Sequence, residues 1–536
     1  MAEGQGLAAR RRWVVLGWRG LGLDWSLALA AVAIGILGYL IDDRTNWSGG
    51  FGFDGRFYGE LARNFPSAVF GHGAVIPPGL GPYDGPHLTG LDSYYAFRIV
   101  PSGIVWLVLK VLGISATKAH VVGAFAALNA AMYGLATFCW CRSAGLLGLG
   151  DRAKLIGAIA LIVNFAVLKS GSYYPVLTDQ VALGLGALSL YLWLRGATLW
   201  LALCVVVASF AWPLELAIGA LLLLFPAPRD PGAALEASRP QARLSWRPPP
   251  FGLAVGAIVG LAAVSALVVF ELQGYRQVEG TDRLPLFPLS AAVTGLYVFA
   301  VVAFLLPRGG ARELLGALRS IQVRRLALAF GVIAVVLVAG SLLTRRSGFV
   351  TQQFAKDAFW SSTLDPGLFL VVLIGWFGPL LLFLYADLPR VAADAWRLGP
   401  AMVGILGIAL LGALQTQPRI ISNTLPFLVL AGVLAGRRLY PFSARNLLVF
   451  LALSVVLSRV WLHIGHFGDR ILQFPGQRYF MATGTWTTPA MYALQLGAVA
   501  IVAVTLWFLA PTRRRDGGDP GAPAGDVVSA GDPIRA

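Results

Sequence analysis

Residues 25–41, WSLALAAVAIGILGYLI, form an unbroken apolar run that opens onto Asp42-Asp43-Arg44 and then Phe53-Asp54-Gly55-Arg56-Phe57-Tyr58-Gly59-Glu60-Leu61-Ala62-Arg63-Asn64. A bilayer core of about 30 Å needs roughly 20 apolar residues in an α-helix, so the run reads as a membrane span. Arg10-Arg11-Arg12 precedes it, which by the positive-inside rule puts its start in the cytoplasm and its end outside. The run is too long for a signal h-region and has no small-x-small cleavage site before Asp42, so it is expected to stay in the mature protein.

Working outward, the same pattern recurs along all 536 residues, of which 57% are hydrophobic and only 13% charged. With a mean hydropathy of +0.72 no water-soluble fold can bury so much apolar side chain. The net charge of +16 would suggest nucleic acid in a soluble protein. Here the arginines cluster in short loops, at Arg324-Arg325, Arg437-Arg438 and Arg513-Arg514-Arg515, so the basicity is read as topology and nucleic-acid binding is not expected. Cys139, Cys141 and Cys204 all lie in or beside apolar stretches, which argues against a disulfide framework.

Hydropathy windows and parity predict an all-α polytopic membrane protein of about fourteen transmembrane helices. The expected divisions are a basic cytoplasmic N-terminus (1–24), a first module (25–225) with a large external loop (42–116), a basic cytoplasmic loop (226–250), a C-terminal set of spans (251–510), and a Gly/Pro/Asp-rich disordered cytoplasmic tail (511–536). The apolar segment from Ile99 to Gly113 is broken by Pro101, Gly103 and Lys110. If it lies along the membrane without crossing, Arg142, Arg152 and Lys154 fall in the cytoplasm, and this arrangement is preferred. The run 199–225 is interrupted at Trp212-Pro213-Leu214-Glu215 and reads as two short helices meeting outside.

Several polar residues gather on the expected outer side. Asp54 starts an interfacial helix just past the first span; a general base there would meet a membrane-embedded substrate at the water interface, although Asp is equally a good N-cap. Arg419, beside Gln415, Thr416 and Gln417, offers a forked cation to a phosphate, with a snorkelling interfacial arginine as the competing role. Arg98 is a second such cation. Asp179 precedes a span and is either functional or a helix cap, and Glu215 at the Trp-Pro break is either functional or paired with an arginine. His463, His466 and Asp469 have a spacing that can hold a divalent metal, but without an evident fourth ligand a metal is not expected.

Four stretches in order carry a family resemblance: Asp54, Tyr58 and Ala62 as Asp-x-x-x-Tyr-x-x-x-Ala after the first span; Tyr94-Tyr95-Ala96-Phe97-Arg98-Ile99-Val100-Pro101; Tyr174-Pro175-Val176-Leu177-Thr178-Asp179; and Pro418-Arg419-Ile420-Ile421-Ser422-Asn423-Thr424-Leu425-Pro426. In these the chain resembles the GT-C superfamily of membrane glycosyltransferases, which includes protein O-mannosyltransferases and the lipid A aminoarabinose transferase. The resemblance implies a GT-C-like helical bundle whose large first extracytoplasmic loop contains juxtamembrane helices, in a bacterial plasma (inner) membrane, with its active site facing the extracytoplasmic side. It further implies transfer of a sugar from a polyprenyl-phosphate donor to a lipid, glycan or protein acceptor, with Asp54 as catalytic carboxylate and Tyr58, Arg98, Asp179, Glu215 and Arg419 around the substrates. The His-Pro-Pro-Leu element of many relatives is missing, and no paired Asp-x-Asp follows the first span, so metal-dependent oligosaccharyltransferase chemistry is not expected and no cofactor is assigned. The alternatives are a transporter or flippase of lipid-linked saccharides, which would place paired charges near the midplane, and a glycan polymerase or ligase, whose large external loop should fall nearer the C-terminus.

Overall fold

The computed structural model describes residues 3–52, 54–71, 91–236, 247–272, 286–346, 360–464 and 487–509. The tail 511–536, His466 and Asp469 lie outside the described residues. Among the described residues the regular structure is helical apart from a short parallel pairing of β1 (Leu91–Asp92) with β2 (Thr344–Arg346). In the first module the helices are α1 (Glu3–Ile41), α2 (Gly55–Arg63), α3 (Ile99–Val111), α4 (Lys118–Leu146), α5 (Asp151–Ile162), α6 (Asp179–Leu194), α7 (Thr198–Ser209) and α8 (Leu214–Leu224). The second half contains α9 (Pro250–Leu272), α10 (Phe287–Leu305), α11 (Gly310–Arg319), α12 (Val323–Leu343), α13 (Leu368–Phe377), α14 (Leu388–Leu398), α15 (Pro400–Gly412), α16 (Leu425–Leu439), α17 (Ala444–Ser458) and α18 (Pro489–Leu509).

Seven helices among the described residues are long and apolar enough to cross a membrane, or eight if the pair Asp151–Ile162 and Ala166–Tyr173, bent by 44°, is one span. The protein is thus a helical membrane protein. The other expected spans are occupied by shorter apolar helices of 10–17 residues. Backbone breaks account for part of the shortening. The apolar stretch 367–385 is cut at Gly378-Pro379, where Gly378 adopts φ +94° and Pro379 cannot continue the hydrogen-bond ladder. In the bent pair, Asn164 takes over the groups freed by the bend: its Nδ2 donates to the Ala160 and Leu161 carbonyls at 2.8 and 2.9 Å, and its Oδ1 accepts from Val167 N at 3.0 Å.

Close packing follows small residues. Gly35 of α1 faces Ala130 and Tyr133 of α4, and a Cβ on Gly134 would sit 2.6 Å from Val32. Gly252, Gly256 and Gly260 form a stripe on α9 that meets the backbone of α10 at Ala303, Phe299 and Gly295. With no hydrophobic driving force between helices in lipid, such small-residue stripes are what allows dispersion contact.

Ion pairs fix which helix ends share a face. Buried Asp24, at the start of the apolar part of α1, binds Lys154 at 2.8 Å and lies 3.7 Å from Arg142, so the start of α1, the end of α4 and the start of α5 lie together. Because α1 leaves that face and α4 returns to it, the end of α1 and the start of α4 lie on the opposite side, with α3 in the stretch between them. Arg325 at the start of α12 donates to the Leu223 carbonyl at the end of α8. The helix Pro231–Glu236 meets the end of α4 at Leu146 and packs on α14, whose Asp394 and the preceding Asp387 both bind Arg438 from the end of α16. Arg142, Lys154, Arg325 and Arg438 therefore mark one basic face. At the far end of α1, Asp42 pairs with Lys169, and burial raises the Asp42 carboxyl above its usual range although Lys169 opposes the shift.

Candidate functional site

The opposite face brings together the residues around which the sequence pattern was built. Asp54 occupies the N-cap position of α2 yet makes no capping hydrogen bond. Its Oδ2 instead lies 2.8 Å from Arg419 Nη2. Neither a plain cap nor a solitary snorkelling arginine describes this pair. Both side chains remain partly exposed, at 36% for Asp54 and 27% for Arg419, so the pair stands open to solvent or a ligand.

Arg419 reaches Asp54 because the backbone at 413–424 is not an ordinary helix. A 3-10 turn, Ala413–Gln415, ends at Thr416 in the left-handed region (φ +53°), and a second, Pro418–Thr424, carries Arg419 before α16 begins. Two contacts anchor this segment to the α7–α8 break: Trp212 Nε1 donates to the Ile420 carbonyl at 2.8 Å, and Asn423 Nδ2 donates to Glu215 Oε2 at 2.8 Å. Gly186 of α6 allows the approach, since a Cβ there would lie 2.1 Å from the Asn423 carbonyl oxygen. Gly186→Ala is expected to displace the Arg419 segment from α6 and to lower stability by about 1–3 kcal/mol, checked by melting curves on the two proteins.

Arg98 precedes α3 and is 6% exposed. Its guanidinium lies 3.7 Å from the centre of the Tyr94 ring and 4.6 Å from that of Trp212, while its Nε and Nη1 have no hydrogen-bond partner. A buried guanidinium with idle N–H groups is costly in free energy, and the aromatic faces offset only part of that. Tyr58 is buried beside it, and its phenol is held well above its usual range by burial, against the lowering effect of Arg98; it stays protonated and available as a donor. The Tyr58 carbonyl accepts from Ser102 Oγ at 3.0 Å, which ties α2 to α3. Asp179 is the first residue of α6 and does not act as its cap; that position belongs to Thr178. It is 6% exposed and lies in the electrostatic field of Arg419, Arg98 and Asp54. Buried oxygens of Gln415, Thr416 and Ser422 have no partner either, so the Arg419 segment holds unused polar capacity.

Glu215 does not join this group and pairs with no arginine among the described residues. Its Oε1 accepts from Ser189 Oγ at 2.6 Å and its Oε2 from Asn423, so it clamps α6, α8 and the Arg419 segment together. Glu215→Ala leaves two buried donors unsatisfied and is expected to cost about 1–3 kcal/mol of stability. Glu215→Gln, which keeps one acceptor oxygen, is expected to lose less stability than Glu215→Ala; melting curves on both variants check this.

His463 pairs with Asp43 at 2.7 Å, and among the described residues no group of three or more His, Cys, Asp or Glu could hold a metal ion. The sequence pattern passed over Trp212, which both stacks on Arg98 and anchors Ile420; its place at the Trp-Pro break was the available signal. Comparison with known protein families, curated proteins and solved structures returns no match.

Proposed function

We propose that the chain is a membrane glycosyltransferase of the GT-C type, moving a sugar from a polyprenyl-phosphate-linked donor to an extracytoplasmic lipid, glycan or protein acceptor. The observation that carries this is a carboxylate held by a guanidinium, Asp54 on Arg419, beside a buried guanidinium with two nitrogens that lack a hydrogen-bond partner, Arg98. A base and an anion site placed together are what displacement of a phosphate from an anomeric carbon requires. The site lies on the face opposite the basic loops, which by the positive-inside rule is the extracytoplasmic one of a bacterial inner membrane. Counted as crossings, the shorter apolar helices bring the bundle to about fourteen spans.

In this mechanism the acceptor hydroxyl gives its proton to Asp54 as its oxygen bonds to the anomeric carbon. The bond from that carbon to the phosphate oxygen breaks, and polyprenyl phosphate leaves with the electron pair, its charge met by Arg98 and Arg419. Arg419 also fixes the orientation of the Asp54 carboxylate. Tyr58 donates a hydrogen bond to the substrates, and Asp179 balances the two arginines. The test is incubation of the purified protein with a panel of polyprenyl-phosphate sugars: release of polyprenyl phosphate from at least one donor supports the proposal, and inertness toward the whole panel, with and without acceptor extracts, refutes it.

A further inference from the structure

A second polar site lies on the basic face, far from the Asp54 region and independent of its function. A groove of about 250 Å³ opens where α9 begins and α10 ends, walled by α11 and α14; its lining includes Arg247, Phe304, Arg308, Glu313, Trp396 and Arg397. The acidic groups there are already engaged. Glu313 Oε2 accepts from Gly309 N at 2.8 Å, and Arg397 is bound to Asp394 at 2.8 Å. Arg247 and Arg308 are exposed and have no ion-pair partner among the described residues. Trp396 is locked in the wall by a 2.8 Å hydrogen bond from its indole to the Leu305 carbonyl.

The height of the groove is set by α11. This helix has no buried residue, and Leu314, Leu315 and Leu318 on one side are all exposed, while Arg312 and Arg319 lie on the other flank. An amphipathic helix with its apolar face uncovered lies in the plane of the membrane interface. Beside the groove, Leu253 on α9 is exposed as well, so the cationic pocket continues onto a surface that lipid chains cover.

We propose that this groove binds the phosphodiester headgroup of an anionic phospholipid from the cytoplasmic leaflet, with Arg247 and Arg308 as its cations and Trp396 at the glycerol level. Two free guanidinium groups match a phosphodiester, and the adjoining apolar surface favours a lipid over a soluble anion.

The test uses full-length protein in nanodiscs of phosphatidylcholine, titrated with phosphatidylglycerol, with binding read by native mass spectrometry and by the melting temperature. The native protein is expected to retain phosphatidylglycerol and melt higher with it, and the Arg247→Gln/Arg308→Gln double variant to bind about 100-fold more weakly, roughly tenfold for each arginine. Both side chains are exposed, so the variant should fold. Arg312→Gln, which removes a charge from α11 on its other flank, should bind as the native protein does. Undiminished binding by the double variant, or an equal loss in Arg312→Gln, overturns the proposal. An equal rise in melting temperature from inorganic phosphate alone would replace it with a soluble-anion site.

Discussion

Asp54→Asn is expected to lower sugar transfer by 10²–10⁴-fold, roughly the contribution of a positioned general base, while leaving the protein folded. The substitution keeps an acceptor oxygen for Arg419 and changes no volume. The pair it weakens is also partly exposed, and such pairs contribute about 0–1 kcal/mol to stability. Asp54→Asn should therefore separate rate from stability: turnover collapses and the melting temperature stays within a few degrees of native. A helix cap gives the reverse pattern, with stability lost and the chemistry intact. Since no capping hydrogen bond exists, the first outcome is expected. Equal turnover in the two proteins would remove Asp54 from the catalytic role.

Arg98→Met should stabilise the protein and impair it at once. In the native chain this guanidinium is buried with two nitrogen atoms unpartnered, an arrangement that opposes folding. Met fills similar volume between Tyr94 and Trp212 without a charge to desolvate. An increase in stability of about 1–3 kcal/mol is expected, together with about 100-fold weaker binding of polyprenyl phosphate. Melting curves with and without the lipid phosphate check both signs together. A structural arginine would give destabilisation with unchanged lipid binding.

The gross architecture was legible because membrane solvation writes itself into composition. The run 25–41, the apolar windows around α4, α9, α10, α12 and α18, and the arginine clusters between them correspond to helices and helix ends in the structure. Parity put Arg142 and Lys154 on one side of the membrane with the start of the first apolar run, and both lie beside Asp24. Lengths were less legible: a hydropathy window does not register Gly378 in a left-handed conformation or the bend that Asn164 stabilises, because both depend on backbone hydrogen bonds. The same limit applies at the site. Asp54 and Arg419 were each recognisable as unusual charges, but a cap and a catalytic carboxylate have the same sequence appearance. Only the fold, through Gly186, Trp212 and Asn423, sets the distance between them. Glu215 illustrates the converse: a charge at a conspicuous break turned out to be satisfied by Ser189 and Asn423, partners brought from two other segments.

A flippase would need to carry a lipid-linked saccharide across the bilayer intact, whereas a transferase has to cleave it on one side. The decisive measurement is therefore made on sealed proteoliposomes loaded with a doubly labelled polyprenyl-phosphate sugar, following the sugar and the lipid label separately. Separation of the two labels on the face that bears Asp54, lost in Asp54→Asn, is the expected result. Movement of both labels together to the opposite leaflet, without cleavage and unaffected by Asp54→Asn, would contradict sugar transfer at this site.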